Sequence, residues 1–285
     1  KRRAPLFVRR PAYVIGRTLL LIAVAAGSVV FIVPFVWMVG TSLKSSAAVY
    51  VYPPTLLPDG LHWENYVDPW HRLPFVNFYK NTLIIVSCNL LGTLLSSSIV
   101  AYGFARLRFR GRGFLFLLVL STMMLPGQVT LIPSYFLFSK LGWVNSLRPL
   151  IIPVYFGSAF NIFLLRQFFM TISHELDDAA KIDGAGFFGI YWRIILPLAR
   201  PALGVVAIYQ FTYDWNDFFN PLIYVNSPKY FPVALGLRML QSTLMYVRVQ
   251  HVMAMTLISI IPVLAVFTFA QRRFIQGIVI SGIKG

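Results

Sequence analysis

The chain has 285 residues, 58% of them hydrophobic and only 12% charged, with 25 Lys and Arg against nine Asp and Glu for a net charge of +16. Soluble domains carry about 25% charged residues, so the composition excludes a soluble enzyme or binding module and predicts an integral membrane protein. The basic residues are spread between apolar runs rather than gathered on one domain, which assigns the charge to membrane topology instead of nucleic-acid binding.

Six stretches have the roughly 20 apolar residues a bilayer crossing needs. They run from about Thr18 to Val39, Thr82 to Phe104, Phe114 to Phe138, Leu150 to Met170, Pro201 to Val225 and Val252 to Ala270. The fold class expected is all-α integral membrane, a six-span bundle over 18–270 between a basic arm (1–17) and a tail (271–285). With the N-terminus inside, 17 of the 25 Lys and Arg fall on the inner side, as the positive-inside rule requires. Both termini are then cytoplasmic, and so is the loop between spans four and five. The single cysteine, Cys88, lies in an apolar run and reads as a small buried hydrophobe without a disulfide.

Two external segments, 45–78 and 226–250, are longer than simple connections need. The first is aromatic and Pro-bearing, with Asp59, Glu64 and Asp68. It suits a receptor contact or a cap on a cavity, with an inert loop lying at the interface as the alternative. Prolines recur inside the spans (Pro34, Pro126, Pro133, Pro153, Pro221, Pro262), and bent helices suit a bundle that opens and closes.

The loop after span four, SHELDDAAKIDGAGFFGIYWRIILPLARP from Ser173 to Pro201, is the most charged segment. Four of the nine acids, Glu175, Asp177, Asp178 and Asp183, occur within nine residues. Ser173 is placed to cap a helix whose first turns carry acids, and Asp177 and Lys181 are spaced to pair. Gly184 and Gly186 break the helix before a second amphipathic piece (Phe187, Ile190, Ile194) that ends near Pro197. The expectation is a cytoplasmic helix pair over 173–197. Gly184 to Gly189 also spells G-x-G-x-x-G, but neither the acidic helix before it nor the span after it is the strand–helix context a dinucleotide site needs. The acids could be read as a divalent-ion site, but a solvated docking face explains them better.

Within span five, Asp214, Trp215, Asn216, Asp217 and Asn220 interrupt an apolar run just before Pro221. Charge at membrane depth costs about 2.5–3.5 kcal/mol per residue, so it faces a bundle interior or a wet cavity. Helical spacing would put Asp214, Asp217 and Asn220 near one face beside an aromatic ring, a surface suited to a polyhydroxylated ligand. A helix-packing polar network, or a span end at the outer surface, remains the alternative. The tail ends GIVISGIKG, from Gly277 through Gly282 to Lys284 and Gly285, and is either a frayed basic terminus or a specific contact element. No Walker A pattern, H-E-x-x-H, metal spacing or nucleophile elbow occurs. Catalytic and metal-ligating residues are therefore expected to be absent.

Asp178-Ala179-Ala180, Asp183-Gly184-Ala185, Ile194 and Leu196-Pro197 resemble the EAA coupling loop of ABC importer permeases, with Asp178 where the family usually has Glu and Tyr191 where it usually has Phe. The tail spacing G-x-x-x-x-G-x-K-G resembles the ending of the G-type membrane subunit of maltose-class importers. Four further stretches resemble the same subfamily: Ala101 to Arg106, Ile132 to Asn145, Phe163 to Phe169 and Trp215 to Phe218.

The resemblance implies a permease subunit of an ATP-driven, binding-protein-dependent sugar importer in a bacterial or archaeal cytoplasmic membrane. Its implied partners are a second homologous permease, two ATPase subunits that hold ATP and Mg, an extracytoplasmic sugar-binding protein and the lipid bilayer, with no nucleic acid. The ATPase-docking residues implied are Asp178, Ala179, Ala180, Asp183, Gly184 and Ala185, with Asp178 pairing an ATPase arginine. The tail residues Gly277, Gly282, Lys284 and Gly285 would reach between the ATPases. A push on the loop would pass to the flanking spans four and five. A sugar phosphate such as glycerol phosphate is the alternative cargo, and a secondary transporter the remoter alternative.

Overall fold

The computed structural model describes the backbone of residues 11–242 and 248–282 and the side chains of 16–241 and 248–270. Every regular element among the described residues is helical: α1 (Pro11–Ser42), α2 (Glu64–Arg72), α3 (Phe75–Arg106), α4 (Arg112–Thr122), α5 (Gly127–Lys140) and α6 (Arg148–Ile151). Then follow α7 (Ala159–Thr171), α8 (Glu175–Ile182), α9 (Phe187–Ile190), α10 (Leu196–Leu198), α11 (Arg200–Asn216), α12 (Phe219–Tyr224), α13 (Val233–Ser242) and α14 (Val249–Gly282). Helix α6 runs on into a 3₁₀ turn (Ile152–Phe156), and α9 into a π-helical turn (Tyr191–Ile195) that leads to α10. Only helices satisfy their own backbone groups in lipid without closing a barrel.

Among the described residues, four helical stretches are long and apolar enough to cross a bilayer, or up to six if each of two bent pairs is one span. The bends revise the expected spans three and five. Helices α4 and α5 meet at 93° across a break that ends at Pro126 and Gly127. The run from Pro201 to Val225 is not one helix either, because α11 stops at Asn216, and Phe187–Leu198 meets Arg200–Asn216 at 76°. Helix α1 is continuous from Pro11 and α14 to Gly282. Residues 1–10, the rest of the expected basic arm, lie outside the described residues.

The chain divides into two compact units. The first comprises the described residues up to Pro69 together with 248–258. Its helix α1 turns Leu19 to Trp37 outward, with Phe31 85% exposed, a surface that hydrocarbon stabilises. After α1 the chain is irregular yet fastened. The buried Asn65 amide donates to the carbonyls of Ser42 (3.0 Å) and Lys44 (2.9 Å). Ser45 donates from its backbone (3.0 Å) and hydroxyl (2.6 Å) to Asp59, which holds that carboxyl below its ordinary range. Gln250 donates to the Ser46 hydroxyl at 2.6 Å. The long external segment, as far as this unit contains it, is thus tied down at several points.

The second unit, Trp70–Ser242 with the described residues from Ser259, is built around α3. Its stripe of small and hydroxyl residues (Gly92, Thr93, Ser97, Ser98, Ala101) lets neighbouring helices approach closely. A Cβ at Gly92 would lie 2.9 Å from the Tyr155 ring. Ala101, Tyr102 and Ala105 pack with Ile162, Leu165 and Phe169 of α7, Val206 of α11, and Ile190 and Ile195 before it. A second cluster joins Ile85 to Leu150, Tyr224 and Val225. Cys88 on α3 is half-buried and unpaired with another cysteine, rather than buried.

Candidate functional site: a polar cavity and a tethered hairpin

A cavity of about 910 Å³ opens in the second unit between α3, α5, α6, α11 and α12. Its polar lining combines Asn89, Gln128, Thr130, Ser134, Gln210, Asp214, Asn216, Asp217 and Asn220, with Tyr209, Tyr213, Phe218 and Phe219 supplying rings. Among the described residues no Lys, Arg or His lines it.

The two aspartates differ in role. Asp214 is buried and fully engaged: its Oδ1 accepts from Asn89 at 3.0 Å and its Oδ2 from Gln210 at 2.9 Å. Asn89 also donates to the Leu150 carbonyl at 3.0 Å, so the Asn89 amide joins α3 to α6 and, through this carboxylate, to α11. Asp217 sits where α11 ends, in an extended conformation (φ −66°, ψ 110°). It caps α12 by accepting from the Asn220 backbone (3.2 Å) and side chain (3.0 Å).

The helix break removes the single face expected for Asp214, Asp217 and Asn220, although all three still border the same cavity. Trp215 is not among the residues that line this cavity: its indole donates to the Ser259 carbonyl at 2.9 Å, and it stacks on Phe211. The tyrosine and phenylalanine rings stand where a stacking tryptophan was expected. Asn89, Gln128, Thr130, Ser134 and Gln210 were not singled out from the sequence. A lone Asn or Gln in an apolar run signals a buried polar contact but not which neighbours share it.

The loop after α7 folds as the expected hairpin. The Ser173 hydroxyl accepts from the Glu175 backbone at 3.2 Å, and α8 ends in a Schellman turn. There Ala185 N–H donates to the Ala180 carbonyl (2.8 Å) and Gly184 N–H to that of Lys181 (3.0 Å). Gly184 adopts φ +83°, a conformation that side chains with a Cβ resist. The G-x-G-x-x-G run is therefore the turn that ends α8 followed by the start of α9.

The expected Asp177–Lys181 pair does not form. Lys181 instead binds Asp178 at 2.8 Å, and this hydrogen bond holds the exposed Asp178 carboxyl below its ordinary range. Asp177 turns inward to Arg106, the last residue of α3, with Nη1 3.3 Å from Oδ2 and both side chains buried. Arg106 also donates to the Ile172 carbonyl (2.8 Å) and to His174 Nδ1 (3.0 Å).

Of the residues assigned to docking, Asp178, Ala179, Asp183 and Gly184 are exposed, Ala185 is half-buried and Ala180 is buried in the core. Leu176, Ile182, Phe187 and Phe188 are exposed beside them, an apolar patch on an otherwise acidic loop. Among the described residues no group of three or more His, Cys, Asp or Glu could hold a metal. Gly277 and Gly282 lie in the backbone of α14, while Lys284 and Gly285 lie outside the described residues.

Comparison with known proteins locates this geometry. The family described as "Binding-protein-dependent transport system inner membrane component" matches residues 92–280. The probable ABC transporter permease protein YurM of Bacillus subtilis is 32% identical over 88% of this chain and 83% of its own length. The diacetylchitobiose uptake system permease protein NgcG of Streptomyces coelicolor is 31% identical over 90% of this chain and 84% of its own. The sn-glycerol-3-phosphate transport system permease protein UgpE of Yersinia enterocolitica is 32% identical over 87% and 90%. Among solved structures, a chain of a bacterial ABC transporter involved in the import of the acidic polysaccharide alginate superposes with a TM-score of 0.84 at 25% identity. The match covers 95% of this chain and all of that one. This chain belongs to the family of binding-protein-dependent transport system inner membrane components.

Proposed function

We propose that this protein is one of two membrane subunits of an ATP-driven importer of a neutral oligosaccharide or related glycoside, seated in a bacterial cytoplasmic membrane. The observation that carries the proposal is the cavity: hydroxyls, amides and two carboxylates beside tyrosine and phenylalanine rings, with no cation among the described residues of its lining. Sugars offer hydroxyls that donate to carboxylates and amides, and ring faces that stack on aromatics. Two carboxylates without a basic residue repel an anion, so a phosphorylated or uronic-acid cargo fits this lining less well. That argument separates this chain from its glycerol-phosphate and alginate relatives.

In this reading both termini and the α8–α9 hairpin are cytoplasmic, and six crossings arise by counting each bent pair once. An ATPase docks on the exposed apolar and acidic surface around Asp178, Ile182 and Phe187, since the sequence carries no nucleotide-binding pattern of its own. A second permease completes the path, and an external binding protein delivers the sugar. ATP-driven closure of the ATPases pushes the hairpin and switches the cavity between outward and inward access.

The test is uptake by cells or proteoliposomes containing the co-purified complex. The cargoes offered are tritiated maltose, diacetylchitobiose and arabinobiose against sn-glycerol 3-phosphate and an alginate trisaccharide. Uptake of a neutral sugar that falls when Asp217 and Asn220 are both replaced by Ala supports the reading. Preference for an anion, or unchanged uptake in the double variant, removes it. Failure of any ATPase to co-purify would remove the importer itself.

A further inference from the structure

The hairpin's polar contacts with α3 fall on one stripe. The Ser98 hydroxyl lies 2.8 Å from that of Tyr191, the Tyr102 hydroxyl donates to the Phe187 carbonyl at 2.9 Å, and Arg106 reaches Asp177 at 3.3 Å. Positions 98, 102 and 106 are four apart and so lie on one face of the helix. Arg106 grips α8, while Tyr102 and Ser98 grip the second half, α9 and the π-helical turn. Ser98, Tyr102, Arg106, Asp177 and Tyr191 are all buried. The Arg106 guanidinium also holds the Ile172 carbonyl and His174, so one planar fork fastens the exit of α7, the loop and α8 together.

The chain's own connections out of the hairpin are bent. Forward, the path to α11 turns through 76°. Backward, α7 is only 13 residues long and is preceded by Gly157 at φ +92° and a 3₁₀ turn. Helix α3 is different: among the described residues three helices exceed 30 residues, α1 and α14 contain a proline, and α3 does not. It runs unbroken from Arg106 to Asn89, about 26 Å at 1.5 Å per residue. There Asn89 lines the cavity and binds Asp214.

We infer that α3 is the rod that carries the hairpin's movement to the cavity, with Ser98, Tyr102 and Arg106 as its positioning residues. The covalently attached helices α7 and α11 follow through their bends. This rests on the proposed importer function, but its failure is distinguishable from failure of that function.

Cys88, the chain's sole cysteine, is half-buried on α3 beside Asn89 and serves as a native reporter. The experiment uses the co-purified complex in nanodiscs. Cys88 labelling by N-ethylmaleimide, read by mass spectrometry of its peptide, is compared with and without MgATP plus vanadate. Wild type is expected to change its labelling rate by about threefold or more, within the range a coupling network modulates. Tyr102→Phe and Arg106→Lys keep the packing or the charge but lose the tether. Both are expected to show a markedly smaller change and a higher ratio of ATP hydrolysed to sugar taken up, with assembled complex recovered as for wild type.

Arg106→Ala should do the same more strongly. If it does not assemble, the two conservative variants decide the matter. A wild-type complex that hydrolyses ATP and transports, yet shows no nucleotide effect on Cys88, overturns the inference. So do conservative variants that keep the full labelling change and the wild-type ratio. A complex with no ATPase bound would instead overturn the importer reading.

Discussion

The hairpin and the cavity use the same residue types for opposite ends. In the hairpin, Asp177 is buried against Arg106, 71 positions earlier in the chain, while Asp178 next to it is exposed and bound to Lys181. In the cavity, Asp214 is buried against Asn89 and Gln210, while Asp217 three positions later borders open space and caps α12. Each region thus sets one buried carboxylate that holds distant elements together beside one that bonds only within its own stretch of chain and meets open space. An acid's position in the chain does not disclose which of the two it is; its partners do.

Substitutions separate the two kinds of carboxylate, and the largest effect is expected at Asp177. Asp177→Ala leaves the buried Arg106 charge without its counter-ion, which costs about 3–5 kcal/mol. Thermal unfolding of the purified complex, with yield in the membrane, measures it. A shift no larger than that of Asp178→Ala would show that Asp177 is not the structural member of the hairpin pair. Asp214→Ala comes next, because the Asn89 and Gln210 amides each lose an acceptor, at about 1–3 kcal/mol per stranded group. The same unfolding assay should rank it well above Asp217→Ala; equal shifts would erase the distinction inside the cavity.

Gly184→Ala places a Cβ in a left-handed turn, at about 1–2 kcal/mol. Its expected signature is a modest loss of stability with a larger loss of ATPase retained through purification, because the turn orients the exposed surface. The smallest stability change belongs to Asp178→Ala, an exposed position whose loss strands no buried group. Its effect lies in function: transport and ATPase coupling should fall while membrane insertion stays intact. Normal transport in this variant would leave the acid without the role proposed for it.

The hairpin was legible because its determinants are local. Acids after a capping Ser173, a Gly184 at the end of α8 and Pro197 closing the second piece act within a few residues of one another. The partner of Asp177 was misread for the converse reason. Lys181 satisfies the i,i+4 rule, but the fold brings Arg106 to the other side of the same carboxylate and buries both, and Lys181 turns to Asp178 instead. In span five, the polar residues were visible as intruders in an apolar run. Their common helical face was not real, since Asp217 leaves α11 to cap α12, and Trp215 takes a hydrogen bond to Ser259 that lies 44 positions away.

Composition and periodicity were enough to establish a membrane-embedded helical chain with an acidic hairpin between two apolar runs. Hydropathy, helix capping and turn formation depend on residues within one or two turns of each other. The bends of α4–α5 and of the hairpin into α11, the cavity lining drawn from five helices, and the stripe on α3 that grips the hairpin arise only in the packed structure. Those features depend on which distant side chains share a buried volume, because a charge or amide removed from water takes whatever partner the fold presents to it.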